Sequence, residues 1–385
     1  MIYKLRDYQQ QASDKAVSFF QSNTKKNAIM VLPTGSGKSL IIADIANRLT
    51  GYTLVFQPSK EILEQNYKKL CSYGVFNCSI YSASFNSKQI SRITFATIGS
   101  VKNHPELFNH FQNVIVDEAH LINPKQGMYK TFFEHLNCKI LGLTATPYRL
   151  ASNNFGSTLR FITRTRPRIF SDVIYQVQVR TLLNQGFLAE LQYFQLDVMD
   201  ERNLKLNSTG ADYTDKSVIQ EYERIDFYSF LVNTIQRLLN PHSGRKPKGI
   251  LVFTRFIKEA ERLTYSIPSC AIVSGDTPKK TREMILRKFK SGEIKVVANV
   301  GVLTTGFDYP ELDTIVLARP TMSLALYYQM VGRAIRPCKG KDGWIVDLCG
   351  TYKRFGKVED LVLKEPKKGQ WQIESNGKQL TNVYY

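Results

Sequence analysis

The sequence predicts an α/β protein built from two βα repeats in series. Short apolar runs that end in small polar residues alternate with segments of helical period, over residues 28–144 and again over 249–347. A glycine-rich loop joins the first of these runs to a helix. Between the two repeats the pattern gives way to a polar, arginine-bearing stretch.

The loop is Pro33-Thr34-Gly35-Ser36-Gly37-Lys38-Ser39, after the apolar run 28–32 and before Leu40-Ile41-Ile42-Ala43. Strand, glycine loop and helix is the context a phosphate-binding loop requires. Glycines let the backbone curl until successive N–H groups point at one anion, and the helix start adds its positive end. Lys38 is placed to reach the β- and γ-phosphates of ATP, and the Ser39 hydroxyl to hold Mg²⁺. The bland alternative is a Gly/Ser turn beside a surface lysine.

At 385 residues, 43% apolar and 22% charged, the chain has the size and composition of a two-domain globular protein. No run approaches the roughly 18 apolar residues of a membrane span, and the start M-I-Y-K-L-R lacks the apolar core of a signal peptide. Six cysteines without a C-x-x-C pair argue against a zinc site or a disulfide framework and fit a reducing cytoplasm. A net charge of +19 points to a polyanionic partner, nucleic acid before all others. A merely soluble basic surface is the alternative.

In chain order, a helix is expected over 5–20, where Gln9 lies 29 residues before Lys38. An amide there can both accept from and donate to an adenine edge. Strands at 52–56 and 93–96 each end in small polar residues, Pro58-Ser59 and Thr97 with Gly99. An open α/β sheet places its ligand crevice at such tips. Four apolar positions then lead into Asp117-Glu118-Ala119-His120, 79 residues after Lys38. Asp117 is suited to hold Mg²⁺ and Glu118 to orient or deprotonate the attacking water. The next tip, Leu143-Thr144-Ala145-Thr146-Pro147, offers Thr144 and Thr146 as sensors of the γ-phosphate; a plain strand-end turn fits equally.

A domain boundary is expected near 165, giving a first domain over 1–165 and a second over 166–355 with a polar insertion near 200–226. Residues 356–385 read as a basic tail. Near the end of the second repeat, Tyr328-Gln329-Met330-Val331-Gly332-Arg333-Ala334-Ile335-Arg336 reads as one helix carrying both guanidiniums on one face. Interleaved apolar residues imply that the segment is packed and that its charges have a partner. Two arginines aimed at a phosphate chain act as arginine fingers; a solvated basic helix is the alternative.

Taken in order, L-R-D-Y-Q, P-T-G-S-G-K-S, Q-P-S-K-E-I-L-E-Q, D-E-A-H, L-T-A-T-P-Y-R-L, S-G-D-T-P, V-L-T-T-G-F-D and Q-M-V-G-R-A-I-R resemble the motif series of superfamily 2 helicases of the DEAH-box kind. Leu32, where the strict loop pattern has glycine, matches the helicase variant. The wording is similar to RadD-type and UvsW-like DNA helicases and to restriction-type translocase motors. The resemblance implies two tandem RecA-like domains, each a mostly parallel sheet flanked by helices, with ATP and Mg²⁺ in the cleft between them.

It places Arg6, Gln9, Thr34, Gly35, Ser36, Gly37, Lys38, Ser39, Gly306 and Asp308 on the nucleotide, and Ser39 and Asp117 on the metal. Lys38, Asp117, Glu118, Gln329, Arg333 and Arg336 are then the catalytic set, and Thr144 and Thr146 couple the domains. Pro58, Ser59, Thr97, Gly99, Thr254, Arg255, Ser274, Gly275 and Thr304 touch the nucleic-acid backbone. The activity implied is that of a monomeric, cytoplasmic DNA helicase or translocase of a bacterial cell or phage-infected host, in repair, recombination or replication. An RNA helicase, a duplex translocase that separates no strands, and a binder with a dead motor are the competing readings. RadD-type proteins carry a further cysteine-bearing C-terminal region, for which this chain has a basic stretch instead.

Overall fold

The computed structural model describes residues 4–153, 156–208, 210–242, 244–303, 307 and 309–381. Two sheets organise the chain. In the first, neighbours run in the order Asp172–Gln176, Ala28–Val31, Lys139–Thr144, Asn113–Asp117, Thr53–Phe56, Ile93–Ala96, Cys78–Ser82 and Ser87–Lys88. All pairs are parallel except the last. The second, parallel throughout, runs Leu191–Gln195, Gly343–Asp347, Thr314–Ala318, Ile250–Thr254, Val296–Val300 and Cys270–Val273.

Covered on both faces, these strands are apolar throughout rather than alternating. Successive side chains nonetheless enter different cores. Ile29 and Val31 pack into one cluster and Ala28 and Met30 into another; Leu54 and Phe56 join the first, Val55 the second. The first cluster also takes in Leu251, Phe253 and Ile315 of the second sheet, so the two lobes share one apolar contact region. Because the strands of each sheet run the same way, Val31, Phe56, Ala96, Asp117 and Thr144 end on one edge, and Thr254, Val273, Val300 and Ala318 on another.

Several elements differ from the sequence expectation. Around residue 165, where a domain boundary is expected, Tyr148–Asn153 pairs antiparallel with Gly156–Phe161, and Asp172–Gln176 then adds to the edge of the first sheet beside Ala28–Val31. The first sheet thus extends past the expected boundary. The polar stretch 200–226 holds a helix, Asp215–Arg224, capped by the Thr214 hydroxyl, which accepts from Ser217 N–H. Its Val218 and Tyr222 are buried against the second sheet, and Tyr222 Oη donates to the Ala318 carbonyl at 2.9 Å.

The basic tail is also folded. Leu361–Lys367, Gln370–Ser375 and Lys378–Gln379 form an antiparallel sheet, with Leu361, Leu363, Trp371 and Ile373 on its buried face. All six cysteines are free thiols. Among the described residues, no helix is long and apolar enough to cross a membrane.

Candidate active site in the cleft between the lobes

The helix Lys38–Arg48 begins at Gly37, whose φ of +77° suits glycine. A Cβ there would also lie 2.6 Å from Gln9 Nε2. The loop is braced from beneath, where the Ser36 carbonyl accepts from Tyr8 Oη at 2.7 Å and from Gln9 Nε2 at 3.0 Å. Gln9 Oε1 in turn accepts from Arg6 N–H at 3.0 Å. Gln9, expected to read adenine, is buried beneath the loop and braces it. The Arg6 guanidinium lies 4.1 Å from the centre of the Phe187 ring.

Above the loop, Lys38 Nζ meets Glu118 Oε1 at 3.2 Å. Burial pushes the Glu118 carboxyl up, but the Lys38 ammonium beside it outweighs burial and holds it below its ordinary value. Asp117 goes the other way: burial, then the adjacent Glu118 charge, push it up to about 7. Lys38 acts on both carboxylates, but it is ion-paired with Glu118 alone, and the Glu118 charge adds to the burial of Asp117.

Ser39 Oγ donates to Asn66 Oδ1 at 2.6 Å, which leaves a hydroxyl lone pair free for a cation. With the Asp117 carboxylate, this is the hard oxygen donor set that suits Mg²⁺. Fit and chemistry agree at Ser39 and Asp117.

His120 links the lobes. Its Nε2 lies 3.1 Å from Gln329 Nε2, a group that only donates, so Nδ1 carries the ring proton and donates to Thr144 Oγ1 at 2.9 Å. Burial holds His120 below its ordinary pKa, consistent with a neutral ring. Thr144 Oγ1 also accepts from Thr146 N–H at 3.0 Å.

Arg333 and Arg336 are not on a helix. The helix Leu324–Val331 ends at Gly332, whose own Cβ would sit 3.0 Å from Thr34 Cγ2, and Pro337 disfavours helical backbone at Arg336. The guanidiniums still share a side: both donate to the Phe307 carbonyl, at 2.9 and 3.1 Å.

The result is one cleft of about 470 Å³, within the usual range of a small-molecule site. The first lobe contributes Thr34, Gly35, Gly37, Lys38, Ser39, Asp117 and Glu118, and one face of the helix Lys60–Ser72. The second contributes Pro310, Arg333, Arg336 and Pro337. Sequence reasoning assigned no role to Asn66 or His120. His120 carried a signal, its place in D-E-A-H; Asn66 carried none beyond following a strand tip.

The expected nucleic-acid contacts divide. Ser59 caps the helix Lys60–Ser72, and Thr97 Oγ1 bonds Ser100 Oγ at 3.0 Å; with Pro58 and Gly99 they follow two adjacent strands, Thr53–Phe56 and Ile93–Ala96. In the second lobe Gly275 is exposed and Ser274 is buried beneath Thr277. Thr254 and Arg255 make bonds within the second lobe. Thr254 is buried with its hydroxyl on the Asn299 carbonyl at 3.3 Å. Arg255 is consumed by Asp215 Oδ1 at 2.8 Å and the Tyr213 carbonyl at 2.6 Å, pinning the helix Asp215–Arg224. Thr304, Gly306 and Asp308 lie outside the described residues.

Two sequence-family models match, "Type III restriction enzyme, res subunit" over residues 2–149 and "Helicase conserved C-terminal domain" over 231–338. A "51.5 kDa protein" of a Lactococcus phage is 26% identical over 84% of this chain and 66% of its own length. "DNA 3'-5' translocase XPB2" of Sulfurisphaera tokodaii is 25% identical over 90% and 81%. Among solved structures, the Type ISP restriction-modification enzyme LlaBIII bound to DNA aligns with a TM-score of 0.66 at 18% identity, over 90% of this chain and 28% of that one. Saccharomyces cerevisiae Dbp5 bound to RNA and ADP BeF3 aligns at 0.61 and 16%, over 92% and 88%. This chain therefore spans just under two thirds of the phage relative and just over a quarter of the restriction enzyme. The shared fold is two RecA-like domains.

Proposed function

Both family models and the paired RecA-like domains support a superfamily 2 helicase, and from that premise we propose that this chain hydrolyses ATP to translocate along DNA and remodel it. The observation that carries the reading is the composition of the cleft: Lys38 and Glu118 from one lobe, Arg333 and Arg336 from the other, around one nucleotide-sized space.

Lys38 has one ammonium and two claimants. In this structure it pairs with Glu118. A triphosphate seated on the loop draws Lys38 to the β- and γ-phosphates, and Glu118 loses the charge that held its pKa low. It becomes a better proton acceptor as the attacking water arrives. Mg²⁺ held by Ser39 and Asp117 would neutralise charge on the phosphate oxygens. Arg333 and Arg336 exchange the Phe307 carbonyl for the γ-phosphate as the lobes tighten, stabilising charge that grows in the transition state.

Nucleic acid laid across both lobes along Pro58, Ser59, Thr97, Gly99 and Gly275 favours the tightened arrangement and so stimulates turnover. The His120–Gln329 contact reports the γ-phosphate state from Thr144 to the second lobe.

ATPase rates at fixed salt with single-stranded, duplex and forked DNA and with RNA test the substrate. DNA, forked DNA above all, is expected to stimulate most; stimulation by RNA alone would replace the DNA reading with an RNA helicase. Strand displacement on the same forks divides helicase from translocase.

A further inference from the structure

We propose that Asn66 is a positioning residue that builds the metal-holding corner of the cleft, an inference that rests on the ATPase reading above. Asn66 is 4% exposed and lies on the cleft face of the helix Lys60–Ser72. Its carboxamide meets one residue at a helix start and two at strand ends: Oδ1 accepts from Ser39 Oγ at 2.6 Å, and Nδ2 donates to Gln57 Oε1 at 2.9 Å and faces Asp117 Oδ2 at 3.4 Å.

The orientation follows from chemistry. In the ionised form that can hold a cation, the Asp117 carboxylate only accepts, so the side of Asn66 facing it is the amide NH2, and the carbonyl is left for Ser39. A serine hydroxyl that holds a cation gives it a lone pair and needs somewhere to send its proton. The Asn66 carbonyl accepts the hydrogen bond from that hydroxyl, which leaves the lone pairs turned away from Asn66. On the other side, Asp117 Oδ1 accepts from Glu118 N–H at 2.9 Å, so the Asn66 amine steadies the second oxygen of the same carboxylate. One side chain thus sets the directions of both metal-holding groups. Groups that orient metal ligands in this way typically change metal affinity by about 10–100-fold when removed.

The test compares binding of ADP to the whole chain with Mg²⁺ and with EDTA, by titration calorimetry, for the wild type, Asn66→Ala and Asn66→Leu. Asn66→Leu is close in volume and a better helix former, so it stands in if Asn66→Ala does not fold. The expected result is an EDTA affinity within about twofold of wild type, and loss of roughly tenfold of the Mg²⁺-dependent gain. The Mg²⁺ concentration for half-maximal ATPase rises by a similar factor. A full Mg²⁺-dependent gain in a folded variant overturns the role of Asn66. Absence of any Mg²⁺-dependent ADP binding in the wild type instead overturns the site reading beneath it.

Discussion

Lys38 and Glu118 are 3.2 Å apart, and most of the chemistry assigned to the cleft follows from that pair. Lys38→Ala is expected to abolish hydrolysis and weaken nucleotide binding. Glu118→Gln keeps shape and hydrogen bonding but cannot accept a proton. It should bind ATP and DNA as the wild type does while turnover falls by about 10²–10⁴-fold, read by single-turnover kinetics.

Elsewhere, Glu259 is fully buried, accepts from Phe256 N–H with both oxygens, and is pushed by burial from its ordinary 4.5 up to about 7. A carboxyl whose folded pKa is raised favours the fold at low pH. That contribution is complete below pH 4.5 and lost as pH rises through 7, by roughly 3 kcal/mol at most. Urea denaturation across this range should show Glu259→Gln with a flatter pH profile than the wild type.

Lys38, Asp117, Glu118, Arg333 and Arg336 were singled out in the sequence by residue type and spacing, and all five line one cleft. The His120–Gln329 contact was not, since folding brings its partners together across 209 positions.

Among the elements, the parallel strands were legible as uninterrupted apolar runs, and the helices near 38–48, 257–266 and 279–290 from their period and flanking turns. Two segments were misread for opposite reasons. The end of the chain looked like a tail because lysines dominate it, yet Leu361 and Leu363, and Trp371 and Ile373, alternate with polar neighbours as a half-buried strand requires. The segment bearing Arg333 and Arg336 looked helical because its arginines are three apart, but the helix stops at Val331 and the chain turns at Gly332.

That glycine sets the distance between the finger segment and the phosphate loop: a Cβ would stand 3.0 Å from Thr34 Cγ2 and 3.0 Å from the Tyr328 carbonyl. Gly332→Ala should therefore push loop and fingers apart, lowering kcat by up to about 10²-fold. Thermal denaturation is expected to show a protein still folded, since the strain falls on a surface between lobes.

At the scale of the whole molecule, the two lobes share an apolar cluster and a polar cleft, so they are held together while the cleft retains room for a nucleotide. The excess of 52 basic over 33 acidic residues gives +19, the sign that favours a phosphate backbone. Backbone contacts carry no base information. DNA affinity is expected to be indifferent to sequence and to fall linearly in log K against log salt as counterions are released, measured by fluorescence anisotropy.

The central claim is that one ATP site is completed by both lobes and assembled by nucleic acid. Its most direct measurement is the steady-state ATPase rate of the wild type and Arg336→Ala, each with and without saturating single-stranded DNA, alongside ATP affinity. The wild type should be stimulated at least about tenfold by DNA. Arg336→Ala should bind ATP within about threefold of wild type yet turn over about 10³-fold more slowly even with DNA present. A wild-type rate indifferent to nucleic acid, together with unimpaired hydrolysis by Arg336→Ala, would contradict it.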